Sequence, residues 1–281
     1  MKAPNKCNAA VFVAPNEPLQ FREFPLPEAL PDGAVLCRLL LSTICGSDLH
    51  TVCGRRTEPT PSILGHESVG AVVAVGKGAH YWDGTPLKIG ERVSWTIMAS
   101  CGNCYFCKKN LPQKCEHLIK YGHSPLSLFP GITGGYAEYI YLFPGTGIFP
   151  LPEGLDNAIV VPANCALATA VCATETIGGI TPGESVLIFG AGLLGTYLAA
   201  LCKESGANPV LVVDINTTRS KTVLAFGANI SYSDGADSVS IIEWARHNYK
   251  NKKGIDVVFE ACGNPQAVTT AIKALRIGGK L

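Results

Sequence analysis

The chain has 281 residues, 47% of them hydrophobic and 16% charged, enough apolar material for one large domain or two ordinary ones and too much for a disordered chain. Twenty-three basic and 22 acidic residues leave a net charge of +1 with no long run of either sign, which argues against nucleic acid or a membrane surface as the main partner. No apolar export segment follows Met1-Lys2-Ala3, so the 12 cysteines fit a reducing, cytoplasmic setting with metal ligation better than a disulfide framework.

Up to about residue 150 the sequence is rich in Pro, Gly and β-branched residues. Residues 9–13, 34–41, 68–75, 92–97 and 136–142 read as short strands between turn signals, the pattern of an irregular, mainly antiparallel β domain. The second half alternates. Strands are predicted at 185–189, 210–214, 230–232 and 255–260, and helices at 192–205, 218–226, 238–249 and 265–275, the last ended around Gly278-Gly279. Strict alternation implies a parallel sheet with right-handed crossovers, hence an α/β chain. The longest apolar stretch, 185–201, is interrupted by Gly190, Gly192 and Gly195, too short and glycine-rich for a membrane span.

Two motifs carry chemistry by their spacing. Cys101, Cys104, Cys107 and Cys115 fall at intervals of three, three and eight, and four thiolates so close form a tetrahedral cage suited to Zn²⁺. Four protein ligands leave no place for substrate, so this zinc would hold together a lobe of about residues 95–120. Gly190-Ala191-Gly192-Leu193-Leu194-Gly195 lies between a predicted strand and a predicted helix. There Gly190 permits the turn, Gly192 lets backbone approach a pyrophosphate, and Gly195 lets the helix pack close. The amides of Leu193 and Leu194 open the helix that would receive the phosphates. Asp214 follows at the end of the next strand, where a carboxylate binds ribose hydroxyls and repels a 2′-phosphate, favouring NAD over NADP. Arg219, five residues on, would partly accommodate a phosphate or else is a solvated residue at a helix start.

Gly65-His66-Glu67-Ser68-Val69-Gly70, followed by five residues and Gly76, together with the cysteine lobe and the glycine turn in that order, resembles the zinc-containing medium-chain alcohol dehydrogenases over nearly the whole chain. The resemblance implies a GroES-like catalytic domain over residues 1–165 and a Rossmann NAD-binding domain over 166–281. It implies two zinc ions, the second a catalytic one with Cys45, His66 and a residue of the interdomain segment as ligands. Cys165 matches that residue, with Cys172 as rival or as a small core thiol. Three protein ligands and an open fourth position define a catalytic zinc. Asp48 would orient His66, Glu67 would stand behind the metal or approach it transiently, and Thr169 would lie beside the nicotinamide. Ser47 would begin a proton relay that passes through the ribose to His50. The implied reaction is hydride transfer between an alcohol or polyol and NAD, with a threonine-type amino-alcohol dehydrogenase as the alternative enzyme.

The pattern also departs from the family. Gly46 stands where several relatives carry a basic residue, and residues 78–90 are longer than the usual turn. About four Rossmann strands are apparent, with 278–281 entering a fifth. A C-terminally truncated form is therefore expected, with strand 255–260 a bare apolar edge. A non-catalytic zinc- and nucleotide-binding isoform is the alternative, and a homo-oligomer is expected of a full-length form. The remaining cysteines, Cys7, Cys37, Cys53, Cys172, Cys202 and Cys262, are read as small buried thiols.

Overall fold

The computed structural model describes residues 4–232 and 254–281, with Glu243 and His247 between them. The helix predicted over 238–249 otherwise lies outside the described residues. Two compact units are present, Met1–Cys165 and Ala166–Leu281.

In the first unit, β1 (Lys6–Phe12) lies between β2 (Gln20–Pro25) and β4 (Ser62–Ile63). The larger sheet orders β7 (Ile119–Lys120), β6 (Arg92–Ala99), β5 (Glu67–Val75), β3 (Val35–Thr43) and β8 (Tyr139–Leu142), with β9 (Thr146–Pro150) also on β6. All described pairings in this unit are antiparallel, as the turn-punctuated sequence predicts. Alternate residues of β3 enter different cores: Val35 and Cys37 join Trp95, Tyr121 and Leu142, while Leu36 joins Val11, Ile63 and Ile132. Burial on both faces explains why β3 begins as an apolar run rather than an alternating one. Its pairing with β5 shifts register twice, after Leu36 and after Leu39. Such irregularities bend a strand, and the ladder ends with Thr43 opposite Glu67. β2, β4, β7 and β9 are not predicted from the sequence. β4 and β7 have two residues each, and β2 is exposed or half-exposed throughout, so neither length nor alternation marks them.

The second unit holds α4 (Ala168–Thr176), then β10 (Val186–Phe189), α5 (Leu193–Glu204), β11 (Val210–Val213), α6 (Thr217–Leu224), β12 (Ile230–Tyr232), β13 (Ile255–Glu260), α7 (Pro265–Ala274) and β14 (Leu275–Lys280). The first unit's helices are α1 (Gly46–Val52), α2 (Tyr105–Lys108) and α3 (Asn157–Val160). The strands form a parallel sheet in the order β12-β11-β10-β13-β14. That is the first five places of the doubly wound order, in which the crevice beyond the ends of β10 and β13 is the ligand site. Ile188 packs with Leu198, Ala199 and Cys202 of α5, and Leu187 and Phe189 pack with Ala267, Ala271 and Ala274 of α7. Two covered faces require the continuous run Val186-Leu-Ile-Phe189.

Two expectations are corrected here. The last helix stops at Ala274, and Leu275–Lys280, including Gly278 and Gly279, is a strand. It pairs with β13, so 255–260 is not a bare edge. The cause is Asp256, which accepts the N–H and Oγ–H of Ser185 at 2.9 and 2.5 Å and the Nε–H of Arg276 at 2.5 Å. One carboxylate thus ties β14 through Arg276 to β13 and to the start of β10. In addition, the consecutive helical residues Asn157–Thr176 are long and apolar enough, at mean hydropathy 1.5, to cross a membrane by length and composition. Asn164, in the middle of that stretch, donates to main-chain carbonyls of the first unit.

Replacing Asp256 by Ala removes the acceptor for three donors, and unfolding should become easier by about 1.5–3 kcal/mol, the range for hydrogen bonds to a charged group. Burial opposes ionisation of Asp256, but Ser185 and Arg276 hold its pKa below the ordinary 3.8. Its contribution is therefore complete above that value and is lost as pH falls through the lower folded value. Urea midpoints of both proteins at pH 7 and pH 3 check this: an unchanged midpoint at pH 7 contradicts it.

Candidate metal centres and nucleotide turn

The first centre starts from a helix N-terminus. Cys45 is the N-cap of α1, and Asp48, three residues on, accepts the Cys45 N–H at 2.9 Å. The same buried carboxylate accepts the Tyr136 hydroxyl at 3.0 Å and the Gly65 N–H at 3.3 Å. Its Oδ1 lies 3.5 Å from His66 Nδ1, a separation too long to count as a hydrogen bond. Gly65 has φ +87, and a Cβ there would meet the Tyr136 ring at 2.7 Å, so only glycine brings His66 into this position. Glu67 opens β5 and accepts the Thr43 hydroxyl at 2.6 Å. Cys165 sits on a π-helical turn, Ala163–Leu167, of the kind often found at functional sites. Asn164 fastens that turn by donating to the carbonyls of His66 at 3.0 Å and Trp95 at 3.1 Å.

The ligand atoms of Cys45, His66, Glu67 and Cys165 all lie within 4.8 Å of one another. The Cys165 thiol and His66 draw the Cys45 pKa down to about 3, while Cys45 and burial push Cys165 up. Burial works against a charged His66, but Asp48 and Cys45 raise its pKa to about 9. Burial raises Glu67, against the Thr43 hydrogen bond. Protons here substitute for a cation, and two sulfurs, an imidazole and a carboxylate suit zinc. The structure therefore brings Glu67 into the donor set itself. Ser47 Oγ is 3.5 Å from His66 Nε2, and His50 is exposed on α1.

Cys101, Cys104, Cys107 and Cys115 also converge within 4.8 Å. Cys115 Sγ lies 3.5 Å from Cys101 Sγ and 3.9 Å from Cys104 Sγ. Tetrahedral zinc with bonds of about 2.3 Å separates its sulfurs by roughly 3.8 Å, so the cage fits, whereas a disulfide needs about 2 Å. The N–H groups of Cys101 and His117 point at Cys115 Sγ, each at 3.3 Å, and lower its pKa. The Cys107 and Glu116 amides bring Cys104 down to about 6.

In the second unit Gly190 has φ +102, and a Cβ on Gly195 would lie 1.8 Å from the Gly190 carbonyl oxygen. A Cβ on Gly192 would meet nothing within 4 Å, so that side of the turn is open. Gly192 caps α5 without a side chain, leaving the first-turn amides, those of Leu193 and Leu194 among them, for an anion. Asp214 accepts the Ala191 N–H and the Asn216 N–H, each at 2.7 Å. Each oxygen keeps a lone pair for a ribose hydroxyl. Arg219 and Thr169 are exposed in the first turns of α6 and α4.

Cys172 is exposed and outside both clusters, so it is neither a ligand nor a core residue. Cys53 and Cys262 are exposed too, while Cys7, Cys37 and Cys202 are buried as expected. The burial expectation failed where a thiol sits on a solvent-facing helix side or in a turn. Sequence reasoning missed Tyr136, Thr43 and Asn164. Only Asn164 left a trace, an amide inside the apolar run Val160-Val-Pro-Ala-Asn-Cys-Ala-Leu167.

Residues 31–153 match the family model for the alcohol dehydrogenase GroES-like domain, and residues 194–281 match that for zinc-binding dehydrogenases. The chain is 31% identical over 270 residues to an L-threonine 3-dehydrogenase of Stenotrophomonas maltophilia, covering 92% of this chain and 71% of that protein. It is 28% identical over 289 residues to a sorbitol dehydrogenase of Bacillus subtilis, covering 99% and 74%. An alcohol dehydrogenase structure from Thermotoga maritima superposes with a TM-score of 0.90 at 31% identity, covering 98% of this chain and 76% of the other.

Metal analysis separates the two centres. Cys45→Ala should lose one of two zinc ions per chain and keep the lobe ion, and Cys104→Ala should do the reverse. Asn164→Ala should weaken metal retention against a chelator only at the Cys45 centre, since the π turn loses its anchor. Full zinc content in Cys45→Ala would overturn the ligand set.

Proposed function

Because the chain belongs to the zinc-containing medium-chain alcohol dehydrogenase family, whose members are oxidoreductases, we propose that it transfers hydride between an alcohol or polyol and NAD. Cys45, His66 and Cys165 would hold a catalytic zinc, and Cys101, Cys104, Cys107 and Cys115 a structural one. The observation carrying this reading is the convergence of Cys45, His66, Glu67 and Cys165 beside a hydroxyl, Ser47 Oγ, 3.5 Å from His66 Nε2.

When bound, zinc supplies a Lewis acid for the substrate oxygen and the nicotinamide supplies the hydride acceptor. The residues of the chain do the positioning and the proton work. Asp48 faces His66 Nδ1 and leaves Nε2 as the ligand nitrogen. Thr43 holds one Glu67 oxygen, which would leave the remaining position of a metal held by Cys45, His66 and Cys165 open to a substrate oxygen. The Ser47 hydroxyl takes the proton leaving the substrate and hands it toward His50 on the solvent side of α1. Gly192 and the amides opening α5 receive the pyrophosphate. Asp214, already pinned to the glycine turn by the Ala191 N–H, offers its remaining lone pairs to the adenosine ribose, which supports NAD over NADP.

Ser47→Ala should lower kcat by about 10²-fold or more, the usual worth of a positioned proton-transfer group, with both zinc ions retained. Turnover should be faster with NAD⁺ than with NADP⁺, and Asp214→Ala should narrow that preference. Steady-state kinetics over a panel of alcohols and polyols tests this reading. Reduction of neither cofactor by any of them, in protein carrying two zinc ions, would overturn it.

A further inference from the structure

The turn that follows β7 brings a second group of charges to the metal-bearing segment. Gly122 has φ +74, and a Cβ there would lie 2.5 Å from the Gly65 carbonyl oxygen. Residues 120–123 are thereby pressed against the backbone that carries His66. The His123 and His66 rings pack with centroids 5.1 Å apart. His123 Nδ1 lies 3.0 Å from Glu58 Oε1, and Arg56 Nη2 lies 2.6 Å from the same oxygen. Burial, reinforced by the charges of Lys120, His66 and Arg56, brings the His123 pKa down to about 3.

The two cations of this group differ in their partners: Arg56 is paired with Glu58 at 2.6 Å, and among the described residues Lys120 is not. Lys120 is half-buried on β7 and within electrostatic reach of Cys165, Arg56 and Glu58. Among the described residues its ammonium makes no hydrogen bond and no ion pair. Burial, with repulsion from Arg56, lowers its pKa. An ammonium drawn out of water without an acceptor is costly, and a second cation beside it raises the cost. A bound anion would offset both terms through charge-assisted hydrogen bonds. Arg56 spends only Nη2 on Glu58, so the guanidinium keeps donors for a planar or tetrahedral oxyanion, and Lys120 adds a point charge. Neither residue holds metal or takes part in the proton path assigned above.

We propose that Lys120 and Arg56 form an anion subsite next to the Cys45–His66–Cys165 centre, so that the substrate is an alcohol bearing an acidic group, a phosphate-type or carboxylate oxyanion, rather than a neutral polyol. This rests on the dehydrogenase reading for the reacting hydroxyl. The subsite sets which alcohol is chosen, because the acidic group fixes where its hydroxyl falls relative to the metal. Lys120 and Arg56 are specificity residues, and their loss should appear in KM more than in kcat.

The test uses the full chain with both zinc ions and three compounds of one carbon skeleton: glycerol, glycerol 3-phosphate and glycerate, each with NAD⁺. One of the two anionic compounds should exceed glycerol in kcat/KM by at least about tenfold, the effect of a single charge-assisted contact of about 1.4 kcal/mol. Lys120→Gln should reduce that ratio about tenfold through KM, and Lys120→Arg should restore part of it. The compound whose ratio falls identifies phosphate or carboxylate as the group bound. Equal kcat/KM for all three, or a ratio unmoved by Lys120→Gln, would overturn the subsite while leaving the dehydrogenase reading intact. If none of the three nor any other alcohol is oxidised, the proposed function fails, and the subsite is judged by binding alone. Inorganic phosphate titrated by ³¹P NMR and acetate by ¹³C NMR should then bind the wild-type chain at least fivefold more tightly than Lys120→Gln. Equal binding of both ions by the two proteins, or binding of neither, would overturn it.

Discussion

The first unit depends on one buried carboxylate. Asp48 is 2% exposed, and an ionised group so placed must find donors or be neutralised. It finds them on three stretches of chain that are distant in sequence: the Cys45 N–H, the Gly65 N–H and the Tyr136 hydroxyl. Satisfying that charge draws the start of α1, the entry to β5 and the approach to β8 to one point. Cys45 and His66 reach each other as a consequence of it. The rest of the centre is fastened to the same point, Glu67 by Thr43 and Cys165 by the amide of Asn164 on the His66 carbonyl.

The two cysteine-bearing centres differ in how they are built. The lobe cage comes from one short stretch of chain, so its geometry is local and its four sulfurs leave no position free. The Cys45 centre gathers residues up to 120 positions apart, from Cys45 to Cys165, and mixes sulfur, nitrogen and oxygen donors. A closed local cage suits a structural ion, and a mixed set assembled by tertiary contacts suits an ion that must exchange one donor for substrate. The same contrast holds in the second unit, where the glycine turn is local but the pinning of Asp214 to Ala191 depends on β10 and β11 lying side by side.

Much of this was legible in the chain itself. The strand–helix alternation after residue 185 specified a parallel sheet because the central strands, β10 and β13, are buried between helices that each present one apolar face. The cysteine intervals specified a cage because ligands close in sequence are close in space. What escaped the sequence escaped for stated reasons. β4 and β7 are too short to show periodicity. β14 is a glycine-bearing strand whose place depends on Arg276 meeting Asp256. Cys172 looked like a core thiol because its neighbours are apolar, yet it lies on the exposed side of α4.

The sequence by itself determined most of the longer elements, the sulfur cage and the glycine turn, because each is encoded within a window shorter than about twenty residues. Tertiary structure decided which distant side chains meet. It brought Glu67 into the cluster that could hold a metal, made Tyr136 and Asn164 supports of that cluster, and placed Lys120 within electrostatic reach of Cys165 with no acceptor among the described residues. Those outcomes follow from burial and from the pairing of charges and hydrogen-bonding groups across the fold. These interactions are fixed only once the chain has closed on itself, so no local pattern in the sequence records them.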